Sequence, residues 1–313
     1  MPMRKIPLGS SGFEVSTIGL GVWQASSEWG SSDDKVIKAV EKSCELGVNL
    51  VDTAEAYGEG HSETVLGRAI EQVGRENVVV ATKVFGSHLR YEELQKACQA
   101  SLKRLGIKQI DLYQIHWPDP WEQIPLKHTM RAMEKLYTEG KIGAIGVSNF
   151  AVRDLEEASS CLSKATIVSN QVRYNLLERQ VEEEVLPYCK KNGITVLAWS
   201  PLAQGALTGK YSPGKRPSES ARATNPLFSK NNLLAGKHLI EVLKKIGDSH
   251  GKAISQVALN WLTRNPIVVP IPGARDAAQA EQNAQSVGWR MTAGEAKEIE
   301  QACRELELDY FLK

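Results

Sequence analysis

Four side chains that can do acid–base chemistry lie at or just after the ends of successive strand candidates. Asp52 ends the second candidate, Lys83 the third and His116 the fourth, while Tyr57 lies in the turn after Asp52. The carboxyl ends of parallel strands meet at one rim, so these side chains are expected to converge there. A tyrosine with a pKa near ~10 keeps its proton at neutral pH and can donate it. A lysine at the same rim can instead attack a carbonyl to form a Schiff base.

Short apolar segments that alternate with helical patterns would position these residues. The strand candidates are nearly continuous runs of aliphatic residues, as expected for strands buried on both faces. They are Thr17–Gly21, Val48–Asp52, Val78–Lys83, Ile110–His116, Ala144–Ser148, Ile167–Gln171, Thr195–Trp199 and Val268–Ile271. The helical candidates among them are Asp33–Leu46, Ser62–Gln72, Tyr91–Leu105, Lys127–Glu139, Arg153–Ser160, Val181–Asn192 and Ala277–Ser286. This alternation predicts an α/β fold, a (β/α)8 TIM barrel, as a single domain over residues 1–313.

Two segments depart from the simple repeat. The opening residues predict a β-hairpin before the first barrel strand, with Gly9–Gly12 as its turn. A long polar segment, Pro201–Lys230, separates the seventh and eighth strands, and a loop of that length predicts a role in ligand binding. Extra helices towards the C-terminus are predicted at Leu233–Ser249, Ile254–Thr263 and Ala293–Leu306.

Composition narrows the classes of function. Lys and Arg total 38 and Asp and Glu total 37 among 313 residues, a formal net charge of +1, so we expect no nucleic-acid or membrane partner. The five cysteines are scattered, without CxxC spacing, which predicts free thiols in a reducing compartment. The sequence shows neither an apolar run near ~18 residues nor a signal core. We predict a cytoplasmic protein, or an organellar one after removal of a transit peptide, that is a monomer or weak homo-oligomer.

Ordered motifs run the length of the chain. They are Gly47–Ala54 with Tyr57 and Gly58, Ala81–Lys83, Asp111–His116, Gly143–Phe150, Asn170 with Gln171, Ala198–Leu202 and Pro270–Gly273. On these motifs the chain resembles the aldo-keto reductases over essentially its whole length. Its short loops are similar to the bacterial, plant and channel β-subunit branches. The resemblance implies an NADP(H)-dependent oxidoreductase that reduces a small aldehyde or ketone without a metal.

The family's catalytic tetrad corresponds to Asp52, Tyr57, Lys83 and His116. Hydride that arrives at a carbonyl carbon leaves charge on the oxygen, which then needs a proton. Tyr57 would donate that proton, and the charge of Lys83 would lower the pKa of the phenol. Asp52 would hold Lys83, and His116 would hydrogen-bond the substrate oxygen.

The resemblance also implies where a nicotinamide dinucleotide would bind. Ser148, Asn149 and Gln171 would bind the carboxamide, and Trp199 would stack on the nicotinamide ring. The residues expected to surround the pyrophosphate are Ser200, Pro201, Leu202, Gln204, Leu207 and Lys210, with Gly21, Val22 and Trp23 opposite. The residues expected at the adenosine end are Gly273, Arg275, Gln279, Gln282 and Asn283. Lysine and serine stand in the best-known form of this motif where the chain has Gly273 and Ala274, so Arg275 is the main cation for a 2′-phosphate.

The substrate pocket is expected to be walled by aromatic side chains. Its predicted members are Trp23, Tyr57, His116 and Trp117, with Trp121, Trp29 and Phe228 as further candidates. An aromatic group of this kind is also compatible with ordinary core packing.

Other interpretations remain open from the residues alone. Tyr57 can be a loop aromatic, the Lys83–Asp52 pair a structural ion pair, and His116 a core histidine. Channel β-subunits share the motifs yet act mainly as cofactor-loaded binding partners, and Lys83 also suits a Schiff-base lyase. A metal-dependent hydrolase ranks last because the six histidines show no HxH or HxxxH pairing.

Overall fold

A barrel of eight parallel strands forms the centre of the molecule. The computed structural model describes residues 3–121, 123–218, 222 and 224–310, apart from the side chain of Glu28. The barrel strands, in sheet order, are β3 Leu20–Gly21, β4 Leu50–Asp52, β5 Val79–Val84, β6 Ile110–Ile115, β7 Ile142–Ser148, β8 Ile167–Arg173, β9 Thr195–Trp199 and β10 Val268–Pro270. Backbone hydrogen bonds from Gly19 N to Pro270 O (2.8 Å) and from Gly21 N to Pro272 O (3.0 Å) close the sheet between its first and last strands. The predicted fold class is confirmed.

Helices surround this barrel and cover its outer face. They are α1 Asp33–Glu45, α2 His61–Val73, α3 Tyr91–Leu105, α4 Leu126–Thr138, α5 Val152–Ser160, α6 Val185–Lys191, α7 Lys230–Ala235, α8 Lys237–His250, α9 Ile254–Thr263, α10 Ala277–Ala284 and α11 Ala293–Arg304. Most carry one apolar stripe, as in α1, where Val36, Ile37 and Val40 are buried. No helix in the described part of the chain is both long and apolar enough to cross a membrane.

The predicted hairpin is present, and it closes the amino-terminal end of the barrel. Strands β1 (Lys5–Pro7) and β2 (Glu14–Ser16) pair antiparallel. Leu8 and Val15 are fully buried against a layer of barrel side chains that includes Leu50, Leu112 and Leu197. Because one end is plugged in this way, the open end lies at the carboxyl ends of the strands.

Most helix predictions agree with the structure to within two residues at each end, and two differ by more. Leu233–Ser249 is divided into α7 and α8 at Gly236, a residue with low helix propensity. Val181–Asn192 begins as a 3-10 turn, and α6 starts only at Val185. Pro187 falls within the first turn of α6, where its missing N–H leaves no helical hydrogen bond unmade.

The long predicted loop, Pro201–Lys230, is partly structured. Ala203–Thr208 forms a 3-10 segment with left-handed backbone inside it, and Pro226–Phe228 forms another. Residues 219–221 and 223 of this predicted loop lie outside the described residues. The described parts begin at the end of β9, so they stand beside the open end of the barrel.

Candidate active site

Lys83 is the centre of a buried hydrogen-bond cluster at the open end of the barrel. It projects inward from β5 and is fully buried. Its Nζ atom lies 2.6 Å from Asp52 Oδ1, 2.7 Å from Thr53 O and 3.4 Å from Tyr57 Oη. These contacts bring three of the four predicted tetrad residues together.

Two glutamine amides hold the other oxygen of the aspartate. Asp52 Oδ2 accepts hydrogen bonds from Gln171 Nε2 (2.8 Å) and Gln114 Nε2 (3.2 Å). Gln114 was not among the predicted site residues. It lies two positions before His116 along β6, and side chains two apart share one face of a strand, so the alternation could have identified it.

Burial and charge act in opposite directions on the two central groups. Burial acts to lower the pKa of Lys83, but the charges of Asp52 and Tyr57 outweigh it, and the net pKa is raised. Burial raises the pKa of Tyr57, and Lys83 opposes that rise without cancelling it. The sequence-based expectation that Lys83 lowers the phenol pKa is therefore correct for its own contribution, whereas the net direction is upward. At neutral pH the pair consists of an ammonium beside a protonated phenol.

His116 completes the group from the end of β6. Its ring meets the ring of Tyr57 edge-on, with centroids 5.7 Å apart and planes at 82°. Burial, and then the charge of Lys83, lower the pKa of His116 to about 3, so the imidazole is neutral at neutral pH. Its Nδ1 atom is buried and has no hydrogen-bond partner among the described residues.

Aromatic rings wall a cavity of about 310 Å³ above this cluster. Trp23 stacks on Tyr57 with centroids 5.7 Å apart, and Trp29 meets Trp23 edge-on at 5.0 Å. Trp117 meets Trp199 edge-on at 6.5 Å across the opening. The residues that line it are Gly21, Trp23, Gln24, Trp29, Asp52, Tyr57, His116, Trp117, Ser148, Asn149, Gln171, Arg173, Trp199, Ser200, Pro201, Gln204, Ile271 and Gly273.

The predicted carboxamide-binding residues are connected to one another at the strand ends. Ser148 Oγ donates to Gln171 O (2.8 Å), and Asn149 Nδ2 donates to Ser148 Oγ (3.0 Å) and to His116 O (3.0 Å). Trp199 Nε1 donates to Asn149 Oδ1 (3.0 Å). Asn149 has a left-handed backbone with φ of 63°, a conformation that asparagine adopts more readily than most residues. The arrangement fixes Trp199 relative to the tetrad.

A second cavity of about 130 Å³ adjoins the first on the side of the β9 and β10 loops. Among its lining residues are the predicted Leu202, Lys210, Arg275 and Gln279. The loop backbone is left-handed at Ser200, Ala203 and Gln204.

Arg222 also lines the second cavity and was missed from the sequence. Its Nε donates to Gln204 O (2.7 Å), and its guanidinium lies 4.9 Å from the centre of the Trp29 ring. Its position depends on the path of the loop, which the sequence pattern does not specify. Gln24, shared by both cavities, was missed for the same reason.

The helix at the adenosine end begins at Ala277, as predicted, and an acidic side chain caps its first turn. The helix α10 begins at Ala277, and the Asp276 side chain caps it by accepting from Gln279 N (2.9 Å). The N-terminus of α10, next to Arg275, therefore already carries a carboxylate. Asn283 Nδ2 donates to Gly273 O (3.2 Å), so Asn283 supports the loop after β10.

Some predicted residues do not line either cavity. The side chains of Val22 and Leu207 are buried in the hydrophobic core, and Gln282 is exposed on α10. Trp121 is 78% exposed, and Phe228 is buried against Tyr211. Within the described ranges, no three His, Cys, Asp or Glu side chains are grouped so that they could hold a metal ion.

Comparison with known proteins gives consistent matches. The chain matches the sequence model of the Aldo/keto reductase family over residues 17–304. Aldo-keto reductase YhdN of Bacillus subtilis is 35% identical over 311 residues, covering 95% of this chain and 92% of that protein. The NADH-specific methylglyoxal reductase of Escherichia coli is 32% identical over 333 residues, covering 97% of this chain and 100% of that protein. An aldo-keto reductase from Klebsiella pneumoniae, solved in complex with NADPH, superposes with a TM-score of 0.78 at 28% identity, covering 99% of each chain.

Proposed function

The chain belongs to the aldo/keto reductase family, and on that premise we propose that it reduces aldehydes or ketones to alcohols with NADPH, with Tyr57 as the general acid. One observation carries the proposal. A buried, charged Lys83 lies 3.4 Å from the hydroxyl of Tyr57, and that hydroxyl faces a cavity shared with His116. A protonated phenol beside a cation is suited to give its proton to an oxygen that gains negative charge.

The roles of the four residues follow from their contacts. Tyr57 donates its proton to the substrate oxygen, and the ammonium of Lys83 stabilises the phenolate left behind. Asp52 keeps Lys83 charged and fixed in place through the 2.6 Å hydrogen bond. Neutral His116 retains one ring N–H, which can donate to the same oxygen and orient the carbonyl.

The residues around the two cavities fit a nicotinamide dinucleotide. Both cavities share Gln24, Ser200 and Gly273, so a long ligand can extend from one to the other. Only glycine at position 273 leaves room for the Gln24 side chain, because a Cβ atom there would lie 2.1 Å from Gln24 Nε2. Gln24 Oε1 is buried without a partner in the described structure, so a bound ligand can donate a hydrogen bond to it. Ser148, Asn149 and Gln171 would hold the carboxamide, and Lys210 and Arg222 the phosphates. When bound, the cofactor supplies the hydride.

We base the proposed preference for NADPH over NADH on Arg275. Arginine presents a charged fork that matches phosphate oxygens, and Arg275 lines the second cavity with Lys210 and Gln279. A structural neighbour binds NADPH, whereas one relative is named as NADH-specific. The preference between NADPH and NADH is therefore best tested by substituting Arg275.

The charge state of Lys83 argues against a Schiff-base lyase. Attack on a carbonyl requires a neutral amine, and desolvated lysines reach that state when their pKa falls. Here the pKa of Lys83 is raised because Asp52 and Tyr57 outweigh the effect of burial. Borohydride trapping should therefore yield no Lys83 adduct.

The deciding experiment is steady-state NADPH oxidation against pyridoxal, methylglyoxal, nitrobenzaldehyde and a set of simple ketones. We expect turnover with several aldehydes and its loss in Tyr57→Phe. NADPH binding without turnover of any carbonyl compound would support a cofactor-loaded binding module instead. We also expect a cytoplasmic protein. We expect it to be a monomer or weak homo-oligomer, and light scattering at micromolar concentration can test that oligomeric state.

A further inference from the structure

A large groove lies on the face of the barrel opposite Tyr57. Its wall includes Thr17, just before β3, and Pro266, just before β10, so it stands at the amino ends of the strands. Its volume is about 1080 Å³, which is large enough for an organic ligand. The face opposite the chemistry usually serves stability in this architecture, so a basic groove there requires another explanation.

Three arginines line this groove, here named the arginine groove: Arg4, Arg264 and Arg290. None of its lining residues is acidic. Within the described part of the chain, the side chains of these three arginines and of Arg304 make no ion pair, hydrogen bond or ring contact. Three of these four arginines therefore converge on a single cavity.

Other arginines of the protein show the contrasting arrangement. Arg104 donates to the buried Glu63 (2.6 Å), and Arg179 donates to both Glu182 (2.8 Å) and Glu300 (2.7 Å). Unpaired like charges that share one groove repel one another, and a multivalent anion removes that repulsion. The three guanidinium groups together offer fifteen N–H donors, roughly five for each fork.

The remaining lining adds an apolar part. Val287, Trp289 and Met291 lie along the groove, and the indole Nε1 of Trp289 is buried without a partner among the described residues. The nearby N-terminus of α11 contributes no donor to this argument, because Thr292 and Glu295 already cap it. The anion-binding groups are thus the arginines, beside a surface that suits a carbon skeleton.

We propose that the arginine groove binds a small organic polyanion that carries two or more phosphate groups. Guanidinium forks match phosphate oxygens in pairs, and phosphates carry more charge per group than carboxylates. The apolar side of the groove contacts the organic part of the ligand. This site is separate from the cofactor cavities and does not depend on the proposed reductase activity.

The test is titration calorimetry with tripolyphosphate and with ATP, at about 0.15 M salt, where long-range attraction is screened. Each ligand is titrated into the protein with and without saturating NADP⁺. We expect one site per chain in both conditions, with ATP binding more tightly because it also contacts the apolar side. Loss of the site when NADP⁺ is present would show that the anion binds in the cofactor cavities and would overturn the proposal.

Arg264→Gln and Arg290→Gln test the assignment of the groove. Each should weaken binding roughly tenfold or more, as expected for a lost charge-assisted hydrogen bond. The matched control is Arg304→Gln, which removes one exposed, unpaired arginine at the end of α11, outside the groove. It should change binding by less than about twofold, and thermal unfolding of all three variants verifies that they fold. Equal weakening by all three substitutions would show that binding depends only on the net charge of the protein, and it would refute a specific site.

Discussion

The catalytic side of the site, around the first cavity, is built on buried strand ends, whereas the phosphate side, around the second cavity, is built on loops. Asp52 is the last residue of β4 and Lys83 the next-to-last residue of β5. Both are almost completely buried, and they form a hydrogen bond of 2.6 Å. On the other side, Lys210 is exposed and Ser200 and Gln204 follow a left-handed backbone path. The first arrangement is held by the barrel itself, and the second by contacts between loops.

The difference indicates that the two sides have different roles in the proposed reaction. Proton transfer requires atoms held within hydrogen-bond distance, which rigid strand ends provide. Binding a long dinucleotide requires a surface that can close around it, and loops supply that adaptability. Substitutions on the strand side should therefore affect kcat, while substitutions on the loop side should affect the KM of the cofactor.

Tyr57→Phe should have the largest effect. It deletes the proposed proton donor but leaves the aromatic wall in place, so kcat should fall by roughly 10²–10⁴-fold. NADPH affinity, measured by fluorescence titration, should stay almost unchanged. The matched control is Tyr211→Phe, which removes a hydroxyl from the loop side, where Tyr211 Oη accepts from Arg222 Nη1 (3.1 Å). An unchanged kcat in Tyr57→Phe would mean that another group donates the proton.

Lys83→Met should reduce kcat by roughly 10²–10³-fold, as expected when one stabilising group at a developing anion is lost. Without the cation, the pKa of Tyr57 rises further, so the alkaline limb of residual activity should move upward. The variant also leaves Asp52 buried without its partner, which costs about 3–5 kcal/mol of stability. Adding Asp52→Asn should restore stability but not turnover. Full activity in both variants would assign the pair a structural role only.

The residues on the strand side could be predicted from the sequence because their position depends only on where each strand ends. A side chain that ends a buried parallel strand must reach the rim, and the motifs around Asp52, Lys83 and His116 mark three such ends. Gln114 shares the inward face of β6 with His116, and the same alternation contained that information too.

The loop side could not be predicted to the same depth. Val22 and Leu207 are predicted beside the pyrophosphate, and the structure buries their side chains in the hydrophobic core, next to or within 3-10 turns. Arg222 reaches the second cavity only through the path of a long loop. The break at Gly236 and the cap at Asp276 likewise depend on local backbone geometry that apolar periodicity does not report.

Arg275→Ala should separate the two nicotinamide cofactors. If Arg275 contacts the 2′-phosphate, its loss should raise the KM for NADPH by roughly 10–150-fold, the equivalent of one charge-assisted hydrogen bond. Kinetics with NADH should change little, because NADH lacks that phosphate. The matched control is Lys210→Ala, which faces the same cavity and should impair both cofactors equally. Equal damage to both by Arg275→Ala would indicate that Arg275 supports the loop.

The smallest expected effect is the pH dependence of stability that His116 contributes. In the unfolded chain a histidine takes up a proton near pH ~6.5, but in the folded protein His116 resists protonation until about pH 3 because it is buried beside Lys83. Between these values the unfolded state binds more protons, so His116 makes the folded state less stable as pH falls and more stable as pH rises. The expected contribution from pH 6 to pH 5 is about 1 kcal/mol.

Urea unfolding of His116→Asn should show a free energy of unfolding that changes less steeply with pH than that of the wild type, by this amount. His128→Asn, at an exposed position on α4, controls for the loss of a histidine. Identical slopes for the wild type and His116→Asn would mean that His116 takes up its proton in the folded state as readily as in the unfolded chain.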